Sequence, residues 1–263
     1  MNIKQNIKDL IYTLKKEQIS NSSAFLLCYL KHFWNPKNEL ERILDNLFKS
    51  KPGAFILQVG ANDGFVNDPL YKFIKKYKAS GILIEPQKKP FSVPKSIYHK
   101  DDIEVINCAI DRVNGIRKLY RLSFSDERWA SGLSSFNYDQ MVKVINSGMI
   151  EHKAKKYKIK LPADKNDWIS FDEVESLNFE TLANNFHIEA VDLLMIDTEG
   201  FDAEIIKMFD FAKFRPLVVV FEKTHLSDED YLYCKGLLKS FTYELIEENA
   251  NCIGIYNHKE WIN

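Results

Sequence analysis

Cysteine is scarce and scattered, with four in 263 residues, at Cys28, Cys108, Cys234 and Cys252. None forms a CxxC pair, which excludes a disulfide framework and a zinc knuckle and leaves buried, reduced thiols as the expectation. Neither sign of charge is in excess: 36 Lys and Arg stand against 37 Asp and Glu, for a net charge of -1. A general attraction to nucleic acid or to an anionic membrane is thereby excluded. Long apolar runs are missing as well. The opening "MNIKQNIKDL" lacks the apolar core of a signal peptide, and "AFLLCYL" (24–30) is too short to span a bilayer. There is no internal repeat and no low-complexity tract. The expectation is a soluble cytoplasmic protein without a nucleic-acid partner or a transmembrane segment.

What is present is a hydrophobic content of 45%, enough for one large α/β domain with a core and a small appendage. Residues 1–50 read as a helical N-terminal extension. Ile3, Ile7, Leu10, Ile11 and Leu14 share a helical face. In "NPKNELERILDNLF", Asn35 is placed to cap a helix with Pro36 at its first position, and Leu40, Ile43, Leu44 and Leu47 form its apolar stripe. These helices can pack on the domain, pair with a second copy to form a homo-oligomer, or touch a membrane.

Residues 51–263 follow a different grammar. Short apolar runs, "AFILQVG" (54–60), "GILIE" (81–85), "EVINCAI" (104–110), "VDLLMID" (191–197) and "PLVVVFE" (216–222), alternate with amphipathic stretches at 68–77, 202–209 and 228–240. "IRKLYRL" (116–122) is an additional strand or edge, and "YELIEE" (243–248) with "CIGIYN" (252–257) forms an antiparallel pair. The expected fold is a mostly parallel sheet with helices on both faces. A segment near 123–165 breaks the rhythm and reads as an insertion, of the kind that serves as a lid or binding loop.

Two features point to a nucleoside ligand. "VGANDG" (59–64) turns from the first strand into a helix, where doubly wound sheets bind ligands. Gly60 and Gly64 permit a tight turn and close backbone approach, and Asn62 tolerates a left-handed conformation. The turn is not GxGxxG, since Asn62 and Phe65 stand where a dinucleotide site wants glycine and its neighbour. Glu85 ends the second strand about twenty residues later, where a carboxylate accepts hydrogen bonds from ribose hydroxyls. An adenosine ligand with no pyrophosphate cradle fits both, S-adenosylmethionine being the obvious one.

"QVGANDG", "LIEPQ", "VINCAI", "LLMIDTEGFDAEII" and "VVVFEKTHL" together resemble the FkbM-type S-adenosylmethionine-dependent methyltransferases, a class I family. The resemblance runs over roughly residues 54–257, leaving residues 1–50 outside it. Many members read "LLKID" where this chain has Met195. The resemblance implies a seven-stranded Rossmann-like fold and O-methylation, often of sugar or natural-product hydroxyls. It also implies a cofactor turn of Gly60, Ala61, Asn62 and Gly64, a ribose-binding Glu85, and an adenine edge at Asn107, Cys108 and Ala109. Asp197 then faces the methyl group and the acceptor.

Methyl transfer requires alignment of donor and acceptor and removal of a hydroxyl proton. Candidate bases are Asp197, Glu199, Glu222 and His225. Asp197, Glu199 and Glu222 are also an alternative divalent-metal set, although a metal-free site is favoured and the spacing is not that of a calcium loop. Asp202 reads as a helix-starting acid. In the insertion, Arg128 and Trp129 can bind an anionic group or stack on a sugar, and Ser134 and Ser135 can hydrogen-bond cofactor or acceptor. Three functions compete: an O-methyltransferase of a sugar or glycan, a methyltransferase of another small metabolite or a lipid-linked acceptor, and a non-catalytic adenosine-binding scaffold.

Overall fold

The computed structural model describes residues 36–65 and 68–256. The helices expected before residue 36, and any oligomer contact through them, lie outside the described residues. Helix α1 spans Glu39–Ser50. The strands of the main sheet are β1 (Phe55–Val59), β2 (Ser80–Ile84), β3 (Ile103–Ile106), β7 (Leu193–Ile196), β8 (Val218–Glu222), β9 (Tyr243–Glu248) and β10 (Asn251–Tyr256). Their order is β3-β2-β1-β7-β8-β10-β9, with only β10 running against its neighbours. The chain builds outward from β1 to β3 on one side and then restarts with β7 on the other. The junction of β1 and β7 is therefore the switch point at which open α/β sheets bind ligands.

Period-two alternation makes both faces apolar. Ile56, Leu193, Val218, Val220 and Ile253 pack on one side, with α1, α2 (Leu70–Tyr77) and α3 (Lys88–Ile97). Leu57, Leu194, Val219, Phe221 and Cys252 pack on the other, with α7 (Phe179–Asn185), α8 (Asp202–Met208) and α9 (Asp228–Ser240). A parallel strand buried on both faces reads as a continuous apolar run, which is why these strands stand out in the sequence. Among the described residues no helix is long and apolar enough to cross a membrane.

The structure changes three expectations. The run 104–110 is not one strand: it divides into β3 and a two-residue β4 (Ala109–Ile110) that joins a separate small sheet, ordered β4-β6-β5. Its other members are β5 (Gly115–Leu122) and β6 (Ile169–Leu177), which pair antiparallel. Neither β6 nor α7 is expected from the sequence. Between β5 and β6 the chain forms α4 (Arg128–Ser131), α5 (Tyr138–Asn146), α6 (Met149–Tyr157) and a 3-10 turn at Lys165–Trp168. These share a core of their own around Met141, Ile145, Ile150 and Trp168.

The third change is at α1. Its cap is Asn38, not Asn35; the Asn38 side chain accepts from the Glu41 amide. Glu248 of β9 adds a second cap, its two oxygens accepting from the amides of Glu39 and Leu40 at 2.8 Å. Leu40, Ile43, Leu44 and Leu47 are buried as the apolar stripe requires. Asp45 fixes the helix to α2, accepting from Lys76 at 2.8 Å and from the Tyr77 hydroxyl at 2.6 Å, with Lys49 at 2.5 Å.

Burial alone would raise the Asp45 carboxyl, but hydrogen bonds from Lys49, Lys76 and Tyr77 outweigh it and hold its pKa at about 2, below the ordinary 3.8. Its stabilisation is therefore present above pH 3.8 and lost as pH falls toward about 2. Urea unfolding across a pH series should show the native protein more stable than Asp45→Asn near neutrality. The gap should close over that acid window.

Candidate active site

The turn after β1 is fixed by what it touches. The amides of Gly60 and Ala61 donate to the Ile84 carbonyl at 3.0 and 2.9 Å, and the Asp197 amide donates to the Val59 carbonyl at 3.0 Å. Gly60 sits at φ +86°, and a Cβ there would lie 1.9 Å from the Asp197 carbonyl oxygen. Asn62 takes the expected left-handed conformation, φ +47°. Its amide donates to Glu85 Oε2 at 2.8 Å, while Glu85 Oε1 accepts from the Gln87 amide at 2.8 Å. One buried carboxylate, 3% exposed, thus braces the loops after β1 and β2.

Above these loops is a cleft. Gly60, Asn62, Glu85, Ala109, Ser134, Asp197 and Glu199 line it, so seven of the expected site residues meet there. Ile84, Ile110, Leu119, Phe136, Phe201 and Ile205 make its apolar wall. The Asn62 side-chain oxygen is buried and has no hydrogen-bond partner. An orphan acceptor of this kind at a cleft wall suits a ligand donor.

Other expected residues do different work. Ala61 is buried beneath the turn, and Gly64 packs on Pro94 of α3. The Asn107 amide donates to the carbonyls of Glu85 and Pro86 at 2.8 and 2.9 Å, bracing that loop from behind. Cys108 is in the core, where burial pushes its thiol up to about 12. Of the three residues expected at an adenine edge, only Ala109 lines the cleft. Trp129 stacks on Tyr157 with ring centroids 6.0 Å apart and belongs to the insertion's core. Arg128 is the first residue of α4. The Ser135 hydroxyl donates to the Glu199 carbonyl at 2.9 Å, so it supports the site from outside.

The acids after β7 separate clearly. Asp197 is exposed at the strand tip. Asp202 is 1% exposed, and its carboxylate accepts from the Thr198 amide at 3.2 Å, the Thr198 hydroxyl at 2.8 Å and the Glu222 amide at 3.1 Å. It opens α8 as expected and is also a strut between the tips of β7 and β8, and burial pushes its carboxyl above the ordinary range.

Glu199 occupies a left-handed conformation at φ +52°, followed by Gly200 at +97°. This kink brings Glu199 Oε2 to 3.2 Å from His225 Nε2. The other ring nitrogen, Nδ1, lies 2.8 Å from the Gln140 amide nitrogen. Gln140 thus holds one ring nitrogen and Glu199 the other, and the tautomer of the ring sets which partner donates. The Glu199 hydrogen bond, opposed by burial and helped by Glu222, raises the His225 pKa. Burial and the charge of Glu199 push Glu222 up. Ligand atoms of Glu199, Glu222 and His225 all lie within 4.8 Å of one another. The structure thus joins His225, and not Asp197, to the two glutamates. Gln140 was not expected: it belongs to α5 in the insertion, and no local signal pairs it with a histidine 85 positions away.

The family model "Methyltransferase FkbM domain" matches residues 58–252. The chain belongs to the FkbM methyltransferase family. A comparison with curated proteins returns no match. A similar solved structure is the SAH-bound Podospora anserina methyltransferase PaMTH1, at 12% identity and a TM-score of 0.37, covering 97% of this chain and 96% of that one. The FkbM match includes the turn, Glu85, the acids after β7 and His225, and so spans the whole cleft.

The close approach of Gly60 makes this FkbM turn intolerant of a side chain. Gly60→Ala should destabilise the protein by more than about 3 kcal/mol. Gly236, exposed within α9 with nothing within 4 Å of a built Cβ, is the control: Gly236→Ala should gain about 0.5–1 kcal/mol. Denaturant titration of both variants checks the contrast.

Proposed function

We propose that the cleft binds S-adenosylmethionine and that the protein methylates a hydroxyl of a sugar or glycan acceptor. The observation that carries this reading is Glu85, a buried carboxylate tied to the amides of Asn62 and Gln87 in a cleft that ends at Asp197. Glu85 would take the ribose hydroxyls, Asn62 Oδ1 a donor of the ligand, and the apolar wall at Ile84, Ala109 and Ile110 the adenine. S-adenosylmethionine supplies an electrophilic methyl group. The acceptor oxygen gains that methyl and loses its proton, and the sulfur keeps the electron pair of the broken C–S bond.

Asp197 is the proposed proton acceptor. His225 is less suited, because Gln140 and Glu199 occupy both of its ring nitrogens and it does not line the cleft. A sugar acceptor is favoured by a second pocket beside the cleft. That pocket shares Pro86, Gln87, Ser131 and Ser134 with the cleft and adds Lys89, Arg121, Asp126 and Asp172. Such a mixed polar wall suits a polyhydroxylated molecule, and in this reading the insertion near 123–165 contributes to acceptor binding.

Calorimetry with S-adenosylhomocysteine tests donor binding. Glu85→Ala should weaken it at least about tenfold, and no binding by the native protein would overturn the reading. Asp197→Asn should lower turnover by about a hundredfold at unchanged S-adenosylhomocysteine affinity. Equal loss of both would remove Asp197 from the acceptor side. Labelled methyl donor offered with sugar-nucleotide pools, followed by mass spectrometry of the product, identifies the acceptor. Tight cofactor binding with no labelled product from any pool would favour the scaffold reading.

A further inference from the structure

We propose that Glu199, Glu222 and His225 bind one divalent transition-metal ion beside the cleft, in a role that rests on the methyltransferase reading above. The three donors come from separate positions brought together by the pairing of β7 and β8, in which Ile196 lies opposite Phe221. Glu222 ends β8, His225 follows three residues later, and Glu199 reaches over from the loop after β7. Ligands about 2.0–2.2 Å from one ion lie about 3.0–3.5 Å apart when adjacent. His225 Nε2 and Glu199 Oε2 already stand at 3.2 Å, and all three donor atoms fall within 4.8 Å of each other. Small side-chain rotations complete the set.

A second observation lies outside the cluster. A metal-binding histidine donates its other ring N–H to an acceptor, which fixes the tautomer. Gln140 is at that other nitrogen, on the far side of the ring from Glu199. Its amide, turned end for end, presents oxygen to Nδ1–H. The Nε2 lone pair then points toward the glutamates. Asp202 completes the support: its carboxylate holds the Glu222 amide and is itself occupied by Thr198, so it orients the cluster without joining it. Asp197 is outside the group.

One imidazole and two carboxylates suit Mn2+, Fe2+, Co2+ or Zn2+ better than Mg2+ or Ca2+, which prefer all-oxygen sites. Three protein ligands leave coordination positions open, and Glu199 lines the cleft. An acceptor hydroxyl held at an open position becomes more acidic. A carboxylate is otherwise a weak base toward an alcohol, so the ion supplies what Asp197 alone lacks.

The test is a titration of chelator-stripped full-length protein with Mn2+, following the loss of the free-ion signal by electron paramagnetic resonance. One ion per chain should bind, and Zn2+ should displace it. Glu222→Gln and His225→Ala should each weaken binding at least about tenfold, with Gln140→Ala weakening it by about the same factor through the ring alone. Asp197→Asn should bind Mn2+ as the native protein does. Circular dichroism confirms that each variant is folded, and Gln140→Ala, which removes no ligand, covers the case in which a ligand variant is not. Absence of Mn2+ binding by the native protein, or undiminished binding by folded Glu222→Gln, overturns the site. S-adenosylhomocysteine calorimetry on the same samples separates the two readings. Cofactor binding without Mn2+ binding overturns the metal site alone. Mn2+ binding without cofactor binding supports the site and overturns the methyltransferase reading.

Discussion

The approach of Gly60 to the Asp197 carbonyl is the constraint around which the site is arranged. It joins the two halves of the sheet at the place where chain order reverses. Because no Cβ fits between them, the turn after β1 can sit directly on the tip of β7. The loops after β1, β2 and β7 then converge within one cleft. The Glu85 carboxylate holds the first two in register through backbone amides. Backbone packing comes first here, and ligand chemistry follows from it.

The acids of "DTEGFD" show how one short segment divides its duties by depth. Asp202 is fully enclosed and satisfied by three donors. It fixes the distance between the tips of β7 and β8. Glu199, two residues past the strand, is turned sideways by a left-handed conformation that a non-glycine residue adopts at a cost of about 1–3 kcal/mol. Ser135 binds its carbonyl and His225 its carboxylate, and these contacts offset the strain. Asp197 keeps its side chain at the cleft. The Asp202 strut adds to the pairing of β7 and β8 in holding Glu199 and Glu222 near each other.

Most of the main sheet was legible because its strands are buried on both faces and written as unbroken apolar runs. The C-terminal hairpin was equally plain, with β9 at the expected residues. The small sheet was not. β6 reads "ISFDEVESL" and is mostly exposed or half-buried, so neither apolar run nor clean alternation marks it. The break between β3 and β4 was hidden because Asn107, which turns the chain there, sits within an otherwise apolar string. At the site, local chemistry was readable in Gly60, Asn62, Glu85 and Asp197, where a turn or strand end dictates the residue type. Contacts between distant segments were not. The Gln140–His225 pair and the Glu248 cap on α1 span 85 and 208 to 209 positions, and nothing in the composition of either segment announces the partner.

The insertion is bound to the core at the cleft by polar contacts of a consistent kind. Gln87 donates to the Ser131 carbonyl at 3.0 Å and accepts from the Ser134 hydroxyl at 3.0 Å. Ser135 reaches Glu199, and Gln140 reaches His225. These contacts fall beside the loop after β2 and beside the Glu199–His225 pair. Each hydrogen bond contributes only about 0.5–1.5 kcal/mol, little beside the apolar packing that holds the insertion together internally. The insertion therefore has a core of its own and meets the site through these directional links and through Phe136, whose ring packs edge-on against Phe201. An acceptor that engages Ser131 or Ser134 acts on the same short segment that positions Glu199 and His225. One short segment of the insertion thus touches both Gln87 and the Glu199–His225 pair, although these partners are far apart in the chain.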